Sequence, residues 1–195
     1  MKSYNQALKI LKKNKIEIND ENINSSESLN RVSSVNIYTN SDYPSANNAS
    51  FDGYAINSKD TNKLDKKIYQ KFKIVGSIAA GDKPIKKKFK KFETVEIMTG
   101  SLIPKFFDTI IPIEQINFYP HTSKARYILL NKKFPKFEHV RFKGSDYKKG
   151  DLLISKGAIL KSSHILALKT LGIKKVKVKK KPNILFFSTG NEITN

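Results

Sequence analysis

The chain has 195 residues, with 37 Lys and Arg against 17 Asp and Glu, a formal net charge of +20, and no cysteine, which excludes disulfides, thiolate metal sites and a cysteine nucleophile. Twelve Phe and eight Tyr argue against a disordered chain. No apolar run approaches the roughly 20 residues that span a bilayer, and the Lys-interrupted N-terminus lacks a signal-peptide core, so the reading is a soluble, intracellular, cytoplasmic protein of one or two domains.

Ser3 stands three residues before Gln6, a capping-box spacing, and Ala7, Leu8, Ile10 and Leu11 form an apolar stripe; together they predict an N-terminal helix. Residues 19–28 read as a loop or the start of a short helix. Val32, Val35, Ile37 and Tyr38 give a short extended run, and residues 39–50 (TNSDYPSANNAS) are loop chemistry. From Phe51 the pattern becomes β-like, with strands predicted at 53–56, 69–79, 94–98, 109–114, 127–130 and 138–141. Their Gly, Pro and Asn punctuation suggests a small β-barrel or sandwich. Leu152 to Ile154 forms a further strand and Gly157 marks a turn. Ser162 or Ser163 caps a helix over 165–171, which Gly172 ends. Residues 173–179 alternate, with Val176 and Val178 on one face, so the lysines of 174–181 read as a solvated strand face.

The last segment carries a continuous apolar run, Ile184 to Phe187, the mark of a strand buried on both faces. Such a strand needs neighbouring strands and a following helix to cover it. Either a partner covers it or the sequence is the front part of a longer polypeptide, and the second reading is preferred.

Only Arg31, Arg126 and Arg141 are arginine; the other basic residues are lysine. Arginine is the better bidentate reader of base edges, so the balance argues against sequence-specific nucleic-acid recognition. A polyanionic partner stays open, because a strongly positive field attracts any polyphosphate. The five phenylalanines Phe89, Phe92, Phe134, Phe137 and Phe142 lie among lysines, as in single-strand binders, although on alternating strands such residues are more often core.

Three polar clusters stand out. In the first, Asn48 to Ala55, Asp52 lies where a long polar loop meets a strand, and Gly53 lets a backbone or a ligand approach. An Asx-turn capping its own loop is the other reading of Asp52. In the second, Ile97 to Ser101, a strand ends in Thr99 and Gly100, which suits a phosphate or a plain strand exit. In the third, Ser188, Thr189, Gly190, Asn191 and Glu192 form a turn after the apolar run, where α/β sheets place ligand contacts or simply start a helix. Gly76 to Gly81 superficially resembles a phosphate loop, but Asp82 stands where lysine is needed, so a strand bend and turn are expected. His121, His139 and His164 lack metal-ligand spacing.

In their order these clusters resemble the molybdopterin molybdenumtransferase (MoeA) family, which includes the E domain of gephyrin. Asn48 with Phe51-Asp52-Gly53-Tyr54-Ala55 resembles its N-x-x-M/F-D-G-Y-A signature, and Ile97-Met98-Thr99-Gly100 with Pro104 its I-M-T-G-x-x-x-P. Gly76 with Ala79-Ala80-Gly81 fits G-x-x-x-A-G, and Ile111 to Gln115 (IPIEQ) resembles V-V-x-x-E, shifted to I-I-P-I-E. Arg141, Gly144 and Asp146 fit R-x-x-G-x-D, and residues 188–192 fit S-T-G-D/N-E. Phe51, Ser145 and Asn191 depart from the commoner residues.

The resemblance implies insertion of molybdate into adenylyl-molybdopterin, with release of AMP and assistance by Mg²⁺. It implies a mainly β chain with α/β elements: a barrel-like β-rich domain (42–137) inserted into a discontinuous linker domain (1–41 and 138–181), then the first strand of a truncated nucleotide-type α/β domain (182–195). It implies a homodimer, with the β-rich domain of one subunit facing the α/β domain of the other. Asp52, Thr99, Asp146 and Glu192 match functional positions. Ser50, Gly53, Gly100, Ser188, Thr189 and Gly190 are the expected substrate or phosphate contacts. Asp52 is the expected Mg²⁺ ligand, and the Thr99 hydroxyl and Gly100 amide the expected donors to a pyrophosphate oxygen. On this reading the chain holds one wall of a site and does not turn over alone. The competing readings are a non-catalytic Lys-rich β module that holds RNA or another polyanion, and a segment that mainly supplies dimer contacts.

Overall fold

The computed structural model describes residues 2–185, apart from 15, 84, 86, 122 and 123. In chain order its elements are α1 (Tyr4–Lys13), β1 (Asp20–Asn24), β2 (Ile37–Tyr38), β3 (Asn48–Ala49), β4 (Gly53–Ile56), β5 (Gln70–Ile78), β6 (Glu93–Ile97), β7 (Thr109–Pro112), β8 (Asn117–Tyr119), β9 (Tyr127–Leu130), β10 (Val140–Arg141), β11 (Leu152–Ile154), α2 (Ser162–Thr170) and β12 (Lys175–Lys179). The chain divides into two units, one of Met1–Asn40 with Gly150–Asn195 and one of Ser41–Lys149.

In the 41–149 unit, six strands form one mixed sheet, curled as a half-barrel, in the order β7-β4-β6-β5-β9-β8. The β-branched, alternating sequences of the central strands fill both faces. Tyr54, Ile56, Phe72, Ile111, Ile128 and Leu130 form one buried cluster. Ala55, Ile78, Val95, Ile97 and Ile110 belong to the other. A register shift between Ile74 and Ser77 moves the apolar set of β5 across the sheet: Phe72 and Ile74 pack with the first cluster, Val75 and Ile78 with the second. The bend expected near Gly76 is this bulge. β10 pairs antiparallel with β3, Val140 opposite Ala49 and Arg141 opposite Asn48. Residues 138–149 group with this unit, in which β10 meets β3. Of the five phenylalanines among lysines, Phe134 is buried, Phe89 and Phe92 pack against the cores, and Phe137 and Phe142 stay exposed.

In the other unit, β1 pairs with β12 and β2 with β11. Ile154, Leu160, Leu168, Val176 and Val178 form the core. Val176 and Val178 are buried while Lys175 and Lys177 face out, as the alternation requires. β1 occupies a stretch read as loop or helix start. Its sequence, DENIN, has no strand signature; the ladder to β12 holds it, and Asp20 pairs with Lys177 and Lys179 at 3.5 and 2.8 Å. α2 starts at Ser162, three residues before the expected position. His164 caps it by accepting the Lys161 N–H on Nδ1 at 3.1 Å, so neither serine is the cap. Gly172, at φ 69°, ends it.

α1 has the expected capping box: the Ser3 N–H donates to Gln6 Oε1 at 2.9 Å and the Gln6 N–H to Ser3 Oγ at 3.4 Å. None of its residues is buried, and Leu11 is 71% exposed. Residues 182–185 have no assigned secondary structure, and Phe186 and Phe187 of the expected strand lie outside the described residues. Among the described residues no helix is long and apolar enough to cross a membrane.

Candidate functional site

Strand polarity brings the first two polar clusters together. β5 and β6 run parallel, with Ile78 opposite Ile97, so both end at the same edge of the sheet. β4 is antiparallel to β6 and starts there, with Gly53 opposite Ile97. β7 is antiparallel to β4 and ends there, with Pro112 opposite Gly53. The loop before β4 and the turns after β5, β6 and β7 therefore leave one edge side by side. Backbone hydrogen bonds lock them: Met98 N–H to Ile78 at 3.0 Å, Gly100 N–H to Ala49 at 2.8 Å, Ala49 N–H to Ser101 at 3.0 Å and Ile113 N–H to Asp52 at 3.1 Å.

At this edge Asp52 and Thr99 meet. Asp52 Oδ1 accepts the Thr99 N–H and the Thr99 hydroxyl, each at 2.7 Å. The residues are 47 apart in sequence, so the carboxylate ties two clusters together and does not cap its own loop. The backbone donor, then the hydroxyl, holds its carboxyl below its ordinary value of 3.8. The folded carboxyl thus titrates below the unfolded one. These bonds favour folding above about pH 4 and lose that contribution as the pH falls through the folded value. Thr99→Val removes the hydroxyl donor and leaves the amide. The Asp52 carboxyl, followed by carbon NMR in a pH titration, is expected to move toward 3.8 and stay below it. An unmoved titration would show that the hydroxyl is not a donor to Asp52.

Two expected donors point elsewhere. The Thr99 hydroxyl is turned to Asp52, and the Gly100 N–H is used by the Ala49 carbonyl. The Ser50 N–H is likewise taken, by the His139 carbonyl at 3.0 Å. Gly53 has a backbone role: a Cβ there would be driven into the Ile111 carbonyl oxygen of the neighbouring strand. This corner therefore presents acceptors. Asp52 Oδ2 has no protein donor among the described residues, and Asp82, in the next turn, caps the Ala79 N–H through Oδ2 at 2.7 Å.

Asp146 follows β10, whose Arg141 lies opposite Asn48. Its carboxylate faces Arg141, which ion-pairs with Oδ2, while the Ser145 hydroxyl donates to Oδ1 at 3.1 Å. The guanidinium first, then Ser145, holds this carboxyl below its ordinary value. The side chain thus turns to its own loop and makes no bond to Asp52. Ser188, Thr189, Gly190 and Glu192 lie outside the described residues. Glu114, in the 3₁₀ turn after β7, is exposed at the Asp52 edge; the I-P-I-E-Q match contained it without marking it as a site residue.

No group of three or more His, Cys, Asp or Glu gathers into a metal cage among the described residues. The open Oδ2 of Asp52 suits Mg²⁺ in its usual manner, with one carboxylate oxygen and the remaining positions filled by water and phosphate.

Residues 2–172 match the family described as the MoeA N-terminal region (domain I and II). The chain belongs to the MoeA family. Molybdopterin molybdenumtransferase from Staphylococcus epidermidis is 31% identical over 191 residues, which cover 98% of this chain and 44% of the relative. The Staphylococcus aureus protein of the same name is 32% identical over 167 residues, 86% of this chain and 38% of the relative. A crystal structure of the molybdopterin biosynthesis MoeA protein from Pyrococcus horikoshii superposes with a TM-score of 0.80 at 31% identity, covering 92% of this chain and 46% of that one. A second structure of the protein from that archaeon gives a TM-score of 0.77 at 32% identity, covering 91% and 44%. The MoeA chain described here thus spans under half the length of the curated relatives it matches.

Proposed function

We propose that this chain serves molybdenum cofactor biosynthesis as the N-terminal and linker part of a molybdopterin molybdenumtransferase. In it, molybdate enters adenylyl-molybdopterin and AMP leaves. The observation that carries this reading is the Asp52–Thr99 junction, where two of the matched family motifs meet in paired 2.7 Å hydrogen bonds. Thr99 fixes the Asp52 carboxylate through Oδ1 and keeps it ionised, and Oδ2 faces outward as a negative acceptor. A bare carboxylate repels a phosphate ester, so it acts on a cation that bridges to the phosphate or on water that hydrates that cation. Mg²⁺, when bound, supplies charge neutralisation on the phosphate being released. Asp146, held by Arg141, and Glu192 complete the set of matched positions, and Ser188, Thr189 and Gly190 are its phosphate contacts.

The proposed test replaces the matching stretch of the Staphylococcus epidermidis relative with this chain. The chimera is expected to restore molybdenum cofactor formation in cells lacking their own transferase. A folded chimera that forms none contradicts the proposal.

The complete protein is proposed to be a homodimer. Supporting this, no residue of the capped α1 is buried, and its Tyr4 and Leu11 are 78% and 71% exposed. Leu11→Asp is expected to shift the chimera from dimer to monomer in sedimentation while leaving its urea midpoint unchanged. A variant that stays dimeric removes α1 from the interface.

A further inference from the structure

The 41–149 unit also contains a cavity of about 1080 Å³ that neither Asp52 nor Thr99 lines. Its walls come from five stretches of chain: the segment before β3, the start of the loop after β4, the segment before β6, the segment before β7 and the segment leading into β10. Phe89 and Phe106 line it, with ring centroids 6.0 Å apart, and Phe137, 42% exposed, stands with them. The rings give flat apolar surface on which a planar group can stack.

The same cavity collects lysines. Lys59, Lys88 and Lys105 line it, and none has a carboxylate at ion-pair distance among the described residues. The one acidic side chain in the wall, Asp108, is turned inward: its two oxygens accept the Ser58 N–H at 2.7 Å and the Ser58 hydroxyl at 3.0 Å. Three lysines without an ion-pair partner, from separate segments, therefore share this wall with the aromatic rings and with one carboxylate held by Ser58. Lysine acts as a point charge on phosphate without a fixed fork. The cavity is open to solvent on one side, and its volume of about 1080 Å³ lies just above the roughly 300–1,000 Å³ of small-ligand pockets, room enough for a ligand of nucleotide size.

We infer that this cavity binds a nucleoside polyphosphate, its planar base against the phenylalanines and its phosphates among Lys59, Lys88 and Lys105. The site is separate from the Asp52 edge. The inference stands whether or not the proposed transferase activity does.

The test titrates the purified chain by calorimetry with ATP, inorganic triphosphate and poly(U), and follows the backbone amides by NMR. ATP is expected to bind once per chain and to shift amides within 87–89 and 102–107. Inorganic triphosphate is expected to bind about tenfold more weakly, because it lacks the stacked ring. Lys88→Ala with Lys105→Ala is expected to weaken ATP binding about tenfold or more, while Asp52→Ala leaves it unchanged. The proposal is overturned if ATP does not saturate, if triphosphate binds equally well, if the double lysine variant binds ATP normally, or if poly(U) binds and ATP does not.

Discussion

Gly53→Ala is expected to cost the 41–149 unit about 4 kcal/mol, a large share of the roughly 5–15 kcal/mol that holds a typical domain together. Gly53 lies between Ile97 of β6 and Pro112 of β7, with its absent side chain aimed at the Ile111 carbonyl. A methyl group there meets backbone on a neighbouring strand, which no side-chain rotation relieves. β4 and β7 must separate, which breaks the pairing of Tyr54 with Ile111 and disturbs the cluster in which both are buried. Gly76→Ala is the control. Its new Cβ meets only the Ile85 side chain at 3.8 Å, and its effect is expected to stay under about 1 kcal/mol. Urea unfolding followed by tyrosine fluorescence suits a chain with eight Tyr and no Trp. Equal midpoints for the two variants would show that β4 and β7 do not approach as closely as described.

Asp52→Asn is expected to lower the molybdenum-insertion rate of the chimera on the order of 100-fold, the scale of losing one preorganised electrostatic contact. The substitution is nearly isosteric. Its carbonyl oxygen still accepts the Thr99 N–H and hydroxyl, so the loop keeps its frame while the negative charge disappears. The urea midpoint at neutral pH is therefore expected to change little. A rate loss accompanied by an equal loss of folded protein would assign Asp52 a structural role.

What the sequence made legible was local. Ser3 and Gln6 announced α1 by spacing alone, and the apolar alternation around Val176 and Val178 announced β12. β4, β5, β6 and β9 carry enough β-branched and aromatic residues to be found without tertiary knowledge. β1 and β8 are polar or only three residues long and exist through their partners, so no local signal marked them. The bulge in β5, the parallel pairing of β5 with β6 and the β3–β10 pairing are likewise tertiary, and with them the boundary between the units. At the candidate site, motif order named Asp52 and Thr99, but not the direction of their hydrogen bonds. The Thr99 hydroxyl and Gly100 amide, the expected phosphate donors, find acceptors within the fold, Asp52 and the Ala49 carbonyl, which no local signal announced. The lysines of the second cavity were indistinguishable in sequence from the many others, because their convergence depends on distant segments meeting in space.

The most direct test of the account is a double-mutant cycle on the chimera, measuring molybdenum-insertion rate for Asp52→Asn, Thr99→Val and the two combined. Thr99 is proposed to act through the carboxylate it holds. Thr99→Val alone should therefore cost less than Asp52→Asn, and the double variant should be no slower than Asp52→Asn alone. Losses that multiply, or an Asp52→Asn enzyme with undiminished rate, would contradict it.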